Sequence, residues 1–418
     1  MSGFRFLHCA DIHLDSPLRG LSAYMGAPVE EVRSATRRAL ENLTRLAMDE
    51  AVDFVVIAGD LYDGDWKDFQ TGLFFTQQMA RLGRAGIRVY MVLGNHDAAA
   101  IITKSLPRQD HVRILSTKRP ESVAVDGLDV TIHGQSFATR VVSDDLAARY
   151  PAPMAGFNIG LLHTSLSGRP PHDPYAPCRL EQLVNHGYDY WALGHVHARE
   201  IVHEGPHIVF PGNLQGRNIR ETGAKGATLV SVADGAVQSL EHRPLDVLRW
   251  ALVSADVSEC DDRTAALSCL RVALEGAVDE ADGRILAARI RLTGASPAHA
   301  QLVRDRLVLR EEVRAVAIDV SDAVWIEKLD LATRPALDRA ALRGQDDAVG
   351  ELLALLDSLS ADPEAGQALL RDLTPLWDKL PPDLREELPN LAEPEAFRAC
   401  LSEVEDLLVS ALTEVAGA

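Results

Sequence analysis

At 418 residues the chain exceeds what one compact core holds and divides into about two or three domains. A hydrophobic fraction of 47% beside 25% charged residues is that of a soluble globular protein, and no apolar run nears the roughly 18 residues of a membrane helix, which excludes a membrane span. The net charge of -19 is uneven: residues 1 to 255 carry 28 acidic and 25 basic residues, and residues 256 to 418 carry 33 and 17, so the acidic C-terminal part suits a protein partner better than a phosphate backbone.

In chain order, the first half alternates apolar runs with amphipathic stretches, the pattern of a layered α/β domain. Phe4 to Ala10 reads as a strand, Glu30 to Glu50 as a helix, Phe54 to Ala58 as a buried strand, Phe69 to Ala85 as a helix and Ile87 to Leu93 as a strand. Further strands are expected at Asp129 to His133, Phe157 to Leu162, Tyr188 to Leu193, Ile208 to Phe210 and Ala227 to Val232. After Arg249 the composition shifts. Arg284 to Leu292 and Val313 to Val320 read as short strands, and Thr264 to Val278 and Pro297 to Arg310 as helices, a small α/β capping domain over 251–335. From Asp346 only helical patterns remain, broken at Asp362-Pro363, Pro381-Pro382 and Glu393-Pro394. The expected division is therefore 1–250, 251–335 and a helical region, 346–418.

Five scattered cysteines, Cys9, Cys178, Cys260, Cys269 and Cys400, argue against a disulfide framework and for a reducing cytoplasm. None forms a CxxC pair, so a metal would be held by His, Asp and Asn. The N-terminus, with Arg5 as its one early positive charge, does not read as a secretory signal.

The chemistry-bearing residues follow the strands. Asp11-Ile12-His13 comes directly after the first, where alternate residues of an extended chain direct a carboxylate and an imidazole to one side. GDLYD, Gly59 to Asp63, exposes the Asp60 carboxylate at a tight turn, where its two oxygens can bridge two cations; the plain alternative is a capped turn. GNHD, Gly94 to Asp97, packs an amide, an imidazole and a carboxylate into successive positions after a buried strand. His163 follows Gly160-Leu161-Leu162, and GHVH, Gly194 to His197, places His195 and His197 two apart, pointing the same way on an extended backbone. A single histidine after a strand is more often a core residue than a ligand, but five such segments in this order are not a chance pattern.

The order DxH, GDxxD, GNHD, isolated His and GHxH resembles that of the calcineurin-like metallophosphoesterases. The resemblance implies two packed sheets flanked by helices, with a dinuclear centre at their edge. It implies that Asp11, His13 and His197 hold one metal, that Asn95, His163 and His195 hold the other, and that Asp60 bridges them. His96 would assist phosphate binding or protonate the leaving oxygen, with Asp97 orienting it, and Asp63 would support a ligand by hydrogen bonding. Two cations about 3.5 to 4 Å apart polarise a phosphoryl group, acidify a water and stabilise an in-line displacement. Mixed imidazole, carboxylate and amide ligands suit Mn²⁺, Fe²⁺ or Zn²⁺; without thiolates Mn²⁺ is the expectation.

Flanking sequence is similar to bacterial DNA-repair exonucleases of the SbcD and YhaO type: CADIHLDSPLRGL at Cys9 to Leu21, PGNLQGRNIRETGAKG at Pro211 to Gly226, and LRW at Leu248 to Trp250. That similarity covers residues 1 to about 250 well and the remainder loosely. It implies DNA as substrate, an SMC-like coiled-coil ATPase as partner, and docking through the C-terminal helices; a homodimer is a further expectation. In the loop behind GHVH, Arg217, Arg220 and Lys225, beside Asn213, Gln215 and Asn218, are candidates to hold backbone phosphates, as against a merely solvated loop. Arg19 and the His172 to Tyr175 loop are weaker rim candidates. The leucines at helical spacing after Asp346 fit docking or packing on one another equally. Two alternatives to a nuclease stay open: a phosphatase or cyclic-nucleotide phosphodiesterase on the same fold, and a docking subunit whose activity depends on its ATPase.

Overall fold

The computed structural model describes the chain except residues 1–2, 17–28, 64–68, 100–108, 168–174, 337–338, 378, 380–390, 392 and 417–418. Arg19 and His172 to Pro174 therefore lie outside the described residues. Two compact units divide the chain: 1–252 with 277–289 and 323–327, and 253–276 with 290–322 and 328–418.

The first unit contains β1 (Phe4–Cys9), α1 (Val29–Asp49), β2 (Phe54–Ala58), α2 (Phe69–Arg84), β3 (Arg88–Val92), α3 (Asn95–Ala99), β4 (Val112–Ile114), β5 (Glu121–Ala124), β6 (Val130–Gly134), β7 (Phe157–His163), α4 (Leu180–Val184), β8 (Tyr190–Gly194), β9 (Glu200–Glu204), β10 (His207–Phe210), β11 (Gly226–Ala233) and β12 (Ala236–Pro244). These strands form two six-stranded sheets, ordered β12-β11-β1-β2-β3-β4 and β5-β6-β7-β8-β10-β9. The centre of each sheet is parallel, β1 to β4 in one and β6, β7, β8 and β10 in the other, with antiparallel strands added outside.

Parallel strands buried on both faces are mostly apolar: Phe54–Ala58 is so throughout, and Phe157–His163 is so except for His163 and Asn158, whose side chain is satisfied by hydrogen bonds. Along β1 the alternation decides which layer each side chain enters. Phe4 and Phe6 pack between the sheets with Phe54, Tyr90, Phe157 and Tyr190, whereas Leu7 and Cys9 face Leu40, Leu43 and Met79 of α1 and α2. His8 belongs to the intersheet layer and is satisfied there, Nδ1 on Tyr190 Oη at 3.0 Å and Nε2 on Leu193 O at 3.1 Å. The architecture is thus the mixed α/β fold of two sheets flanked by helices.

Four strands of the two six-stranded sheets were not expected from the sequence, and all four are sheet margins: β4, β5, β9 and β12. Their burial is partial and their residues include Arg113, Glu121, Glu200 and Arg243, so no apolar run marks them.

The remaining elements are β13 (Leu248–Asp256), α5 (Arg263–Ala281), β14 (Ile285–Ser296), α6 (His299–Arg304), α7 (Arg306–Val320), β15 (Val324–Pro335), α8 (Arg339–Arg343), α9 (Ala348–Ala361), α10 (Pro363–Trp377) and α11 (Pro394–Ala416). β13, β14 and β15 form a three-stranded sheet in that order. The strand expected at Val313 to Val320 is instead the end of α7. Leu309, Val313 and Ala317 are its buried residues while Ala315 is exposed, whereas a strand would turn 313, 315 and 317 to one side. Asp347 caps α9, accepting from Val349 N at 3.0 Å and Gly350 N at 2.9 Å. Val349, Leu353 and Val409 pack α9 on α11, while Leu355, Leu408 and Leu412 stay exposed. No helix among the described residues is long and apolar enough to cross a membrane.

Candidate metal centre

The five segments meet past the C-terminal ends of β1, β2, β3, β7 and β8, where parallel strands leave a crevice. The chain after β1 stays laced to the chain after β2: Asp11 N donates to Gly59 O (3.0 Å), His13 N to Asp60 O (3.0 Å) and Leu14 N to Leu61 O (2.8 Å). Asp11, His13, Asp60 and His195 hold φ between 45° and 99°, left-handed values that cost about 1 to 3 kcal/mol each for non-glycine residues and collect at functional sites. Two glycines admit the close approach. A Cβ on Gly94 would stand 2.3 Å from Asp60 Oδ1, and one on Gly194 would stand 1.9 Å from Ala58 O.

The positive φ of His195 also corrects the expectation that His195 and His197 point the same way. The chain bends between them. His197 joins Asp11 and His13, and His195 joins Asp60 and His163, their ligand atoms within 4.8 Å in each group. Asp60 Oδ2 lies 3.4 Å from His163 Nε2 and 3.9 Å from His13 Nε2, one from each group, and Oδ1 accepts from His96 N at 3.0 Å. Asp11 accepts from His195 N through both oxygens, at 3.1 and 2.9 Å. Asn95 Oδ1 is 2.9 Å from His163 Nε2, which brings all seven expected ligands together.

The hydrogen bonds indicate which ring nitrogens face the crevice. His163 Nδ1 donates to Ala58 O at 2.9 Å, so Nε2, beside the oxygens of Asn95 and Asp60, is the nitrogen that holds a proton there or would face a cation in its place. His13 Nε2 and His197 Nε2 face each other at 3.2 Å. At that separation one of the two nitrogens donates to the other, or a cation takes the place of that proton. The electrostatics agree. Burial works against ionising Asp60, but the imidazoles of His163, His13 and His96 outweigh it and hold its carboxyl well below the usual range. Burial also opposes charge on His163, yet Asp60 and Asp11 raise it to about 9. Asp11 is pushed up to about 6 by burial, against the pull of His197 and His163. Imidazole, carboxylate and amide donors at these distances fit a pair of divalent cations.

Asp63, not the expected Asp97, is the carboxylate set against the His96 ring, its Oδ1 2.9 Å from His96 Nδ1. It also accepts from Ser16 Oγ at 2.5 Å and lies 3.7 Å from His13 Nδ1. Burial disfavours a charged His96, but Asp63 and Asp60 prevail and raise its pKa. Asp97 is buried and serves the backbone: Oδ1 accepts from Tyr62 N at 2.9 Å and Oδ2 from Gly94 N at 3.0 Å, tying the turn after β2 to the turn after β3. Burial and the neighbouring Asp60 push it up to about 7.

Of the expected substrate-binding residues, Arg217 reaches the centre and Arg220 is exposed. Arg217 Nη1 lies 3.8 Å from Asp63 Oδ2, and Nη2 donates to Glu221 Oε1 at 3.1 Å. Asn213 requires correction. It is fully buried, with Nδ2 donating to Gln215 O at 2.8 Å and Glu221 Oε2 at 3.0 Å, so it braces the loop and does not face a substrate. Lys225 is likewise buried, donating through Nζ to His197 O at 3.1 Å. Glu221 was not anticipated. It lies 2.7 Å from His197 Nδ1, and the one sign of it in the sequence is a single acid among the cations of Gly212 to Lys225.

The model for calcineurin-like phosphoesterases matches residues 4–199, and that for the middle domain of metallophosphoesterase YhaO matches residues 250–334. The chain is 36% identical over 301 residues to the uncharacterized metallophosphoesterase YhaO of Bacillus subtilis, covering 67% of this chain and 74% of that protein. It is 29% identical over 232 residues to the DNA double-strand break repair protein Mre11 of Methanopyrus kandleri, covering 50% of this chain and 48% of the relative. Mre11 of Sulfurisphaera tokodaii is 26% identical over 273 residues, 62% of this chain and 67% of that one.

Proposed function

The chain belongs to the calcineurin-like metallophosphoesterase family, and from that premise we propose that it is a two-metal nuclease hydrolysing phosphodiester bonds in DNA. The observation that carries the metal chemistry is the convergence of Asp11, His13 and His197 with Asp60, Asn95, His163 and His195 in one crevice. Two divalent cations, with Mn²⁺ the proposed pair, would polarise the phosphoryl oxygens and offset the charge that develops there. In this reading Asp11, His13 and His197 would hold one, Asn95, His163 and His195 the other, and Asp60 would serve both. His96, steadied by Asp63 at 2.9 Å, gives its proton to the leaving oxygen.

DNA as the substrate is supported by relatives named as DNA double-strand break repair proteins and by Arg217, whose guanidinium lies within reach of both His197 and Asp63. The near-neutral charge of residues 1 to 255 is compatible with a polynucleotide. Five free cysteines support a cytoplasmic setting. An SMC-like ATPase partner is proposed to dock on the exposed Leu355, Leu408 and Leu412, and aspartate at these positions should abolish co-purification with it. The substrate is tested by comparing linear DNA, cyclic nucleotides and phosphopeptides in Mn²⁺. Degradation of DNA alone is the expected result, and turnover confined to either of the others would overturn the nuclease reading.

A further inference from the structure

Glu221 is nearly buried, and its two oxygens take four donors: His197 Nδ1 (2.7 Å) and Arg217 Nη2 (3.1 Å) on Oε1, Arg217 N (2.7 Å) and Asn213 Nδ2 (3.0 Å) on Oε2. A carboxylate taken out of water is stable when its lone pairs are filled in this way. The imidazole and guanidinium contacts outweigh burial and hold its pKa well below the usual carboxylate range. Because the carboxylate accepts, His197 Nδ1 must donate, which leaves Nε2 bare. That Nε2 is the atom facing His13 Nε2 at 3.2 Å and Asp11 Oδ1 at 3.9 Å. Arg217 Nη2 also lies 3.4 Å from His197 Nδ1, but a guanidinium only donates and stands at the long limit of a hydrogen bond. The charged oxygen at 2.7 Å decides the tautomer.

We propose that Glu221 is the positioning residue of the Asp11, His13 and His197 side of the centre: it fixes the tautomer and tilt of His197 and holds Arg217 beside it. This rests on the two-metal reading. His197 needs such a support more than His163 does. His163 is fully enclosed and braced by the Ala58 carbonyl, whereas 26% of the His197 side chain is exposed and its other ring nitrogen has only side chains to hold it. Removing a carboxylate behind a ligating histidine typically costs about 10- to 100-fold in metal affinity. The loss should therefore fall on one of the two metals.

The test uses the full chain, as wild type, Glu221→Gln and Glu221→Ala, titrated with MnCl₂ by calorimetry, with ring ¹⁵N shifts of His197 recorded in the metal-free proteins. One of two equivalents is expected to weaken about 10- to 100-fold in Glu221→Ala and less in Glu221→Gln, whose amide keeps an acceptor, with the other equivalent unchanged. The shifts should report Nδ1–H in the wild type and a tautomer mixture in Glu221→Ala. A lower melting temperature with both equivalents and the tautomer unaltered would make Glu221 a purely structural residue and overturn the proposal. A wild type that takes up one equivalent would remove the dinuclear reading instead, and Glu221 would then stand or fall on that equivalent and on the shifts.

Discussion

His163 and His197 lie in the same centre, yet they are held in different ways. His163 is enclosed by its own strand and by Gly59 and Gly194, and its Nδ1 rests on the backbone carbonyl of Ala58. His197 lies beyond β8 and rests on Glu221, from a loop that also carries Arg217. Backbone support comes with the sheet and moves only if the sheet does. Side-chain support can be removed by one substitution, and it leaves room for a group such as Arg217 to share the site with a substrate. His163 is fixed by the fold, and His197 by side chains added to it.

The largest effect should come from the residue common to both sides. Asp60→Ala is expected to lose both metals and lower phosphodiesterase activity at least about 10³-fold, several kcal/mol of transition-state stabilisation. Metal content and hydrolysis of a chromogenic phosphodiester measure this, and retention of one full equivalent would show that Asp60 serves a single side. Next, His96→Gln should reduce turnover about 10²- to 10⁴-fold with both metals still bound, because the ring is set on Asp63 and is outside the two proposed ligand groups, although His13, Asp63 and His96 form a third cluster able to hold a cation. Unchanged turnover would remove His96 from the chemistry.

Asp97→Ala probes the backbone-supported side without touching a ligand. It strands the Tyr62 and Gly94 amides, and urea unfolding should show a loss of about 1 to 3 kcal/mol. A loss no greater than that of a surface substitution would mean that the two turns hold without it. Smallest is Arg217→Ala, on the side-chain-supported side. It should raise KM for DNA about tenfold and lower the salt dependence of binding by about one phosphate contact, read from DNA binding across a salt series. An unchanged salt slope would assign Arg217 to Glu221 and Asp63 alone.

The central strands were legible because a strand covered on both faces must be mostly apolar. For the same reason the candidate ligands were legible: polar residues directly after such a run, at Asp11, Asp60, Asn95 and His195, recur together where a capped turn or a core histidine would explain only one of them. The marginal strands β4, β5, β9 and β12 carried no such mark, since one neighbour and partial burial leave their composition free. Val313 to Val320 misled because β-branched residues suit a strand locally, while the exposure of Ala315 between buried Val313 and Ala317 fits a helix and not a strand.

The sequence by itself determined the candidate ligand types, their order and their place after buried strands, because hydrophobic burial and metal chemistry each restrict residue identity at a position. Tertiary structure alone decided that the chain bends at His195, that Asp63 and not Asp97 meets His96, that Asn213 is buried, and that Glu221 backs His197. Those are contacts between residues 24 to 33 positions apart or local turns of the backbone. They depend on where chain segments meet in space, which no single position has to declare.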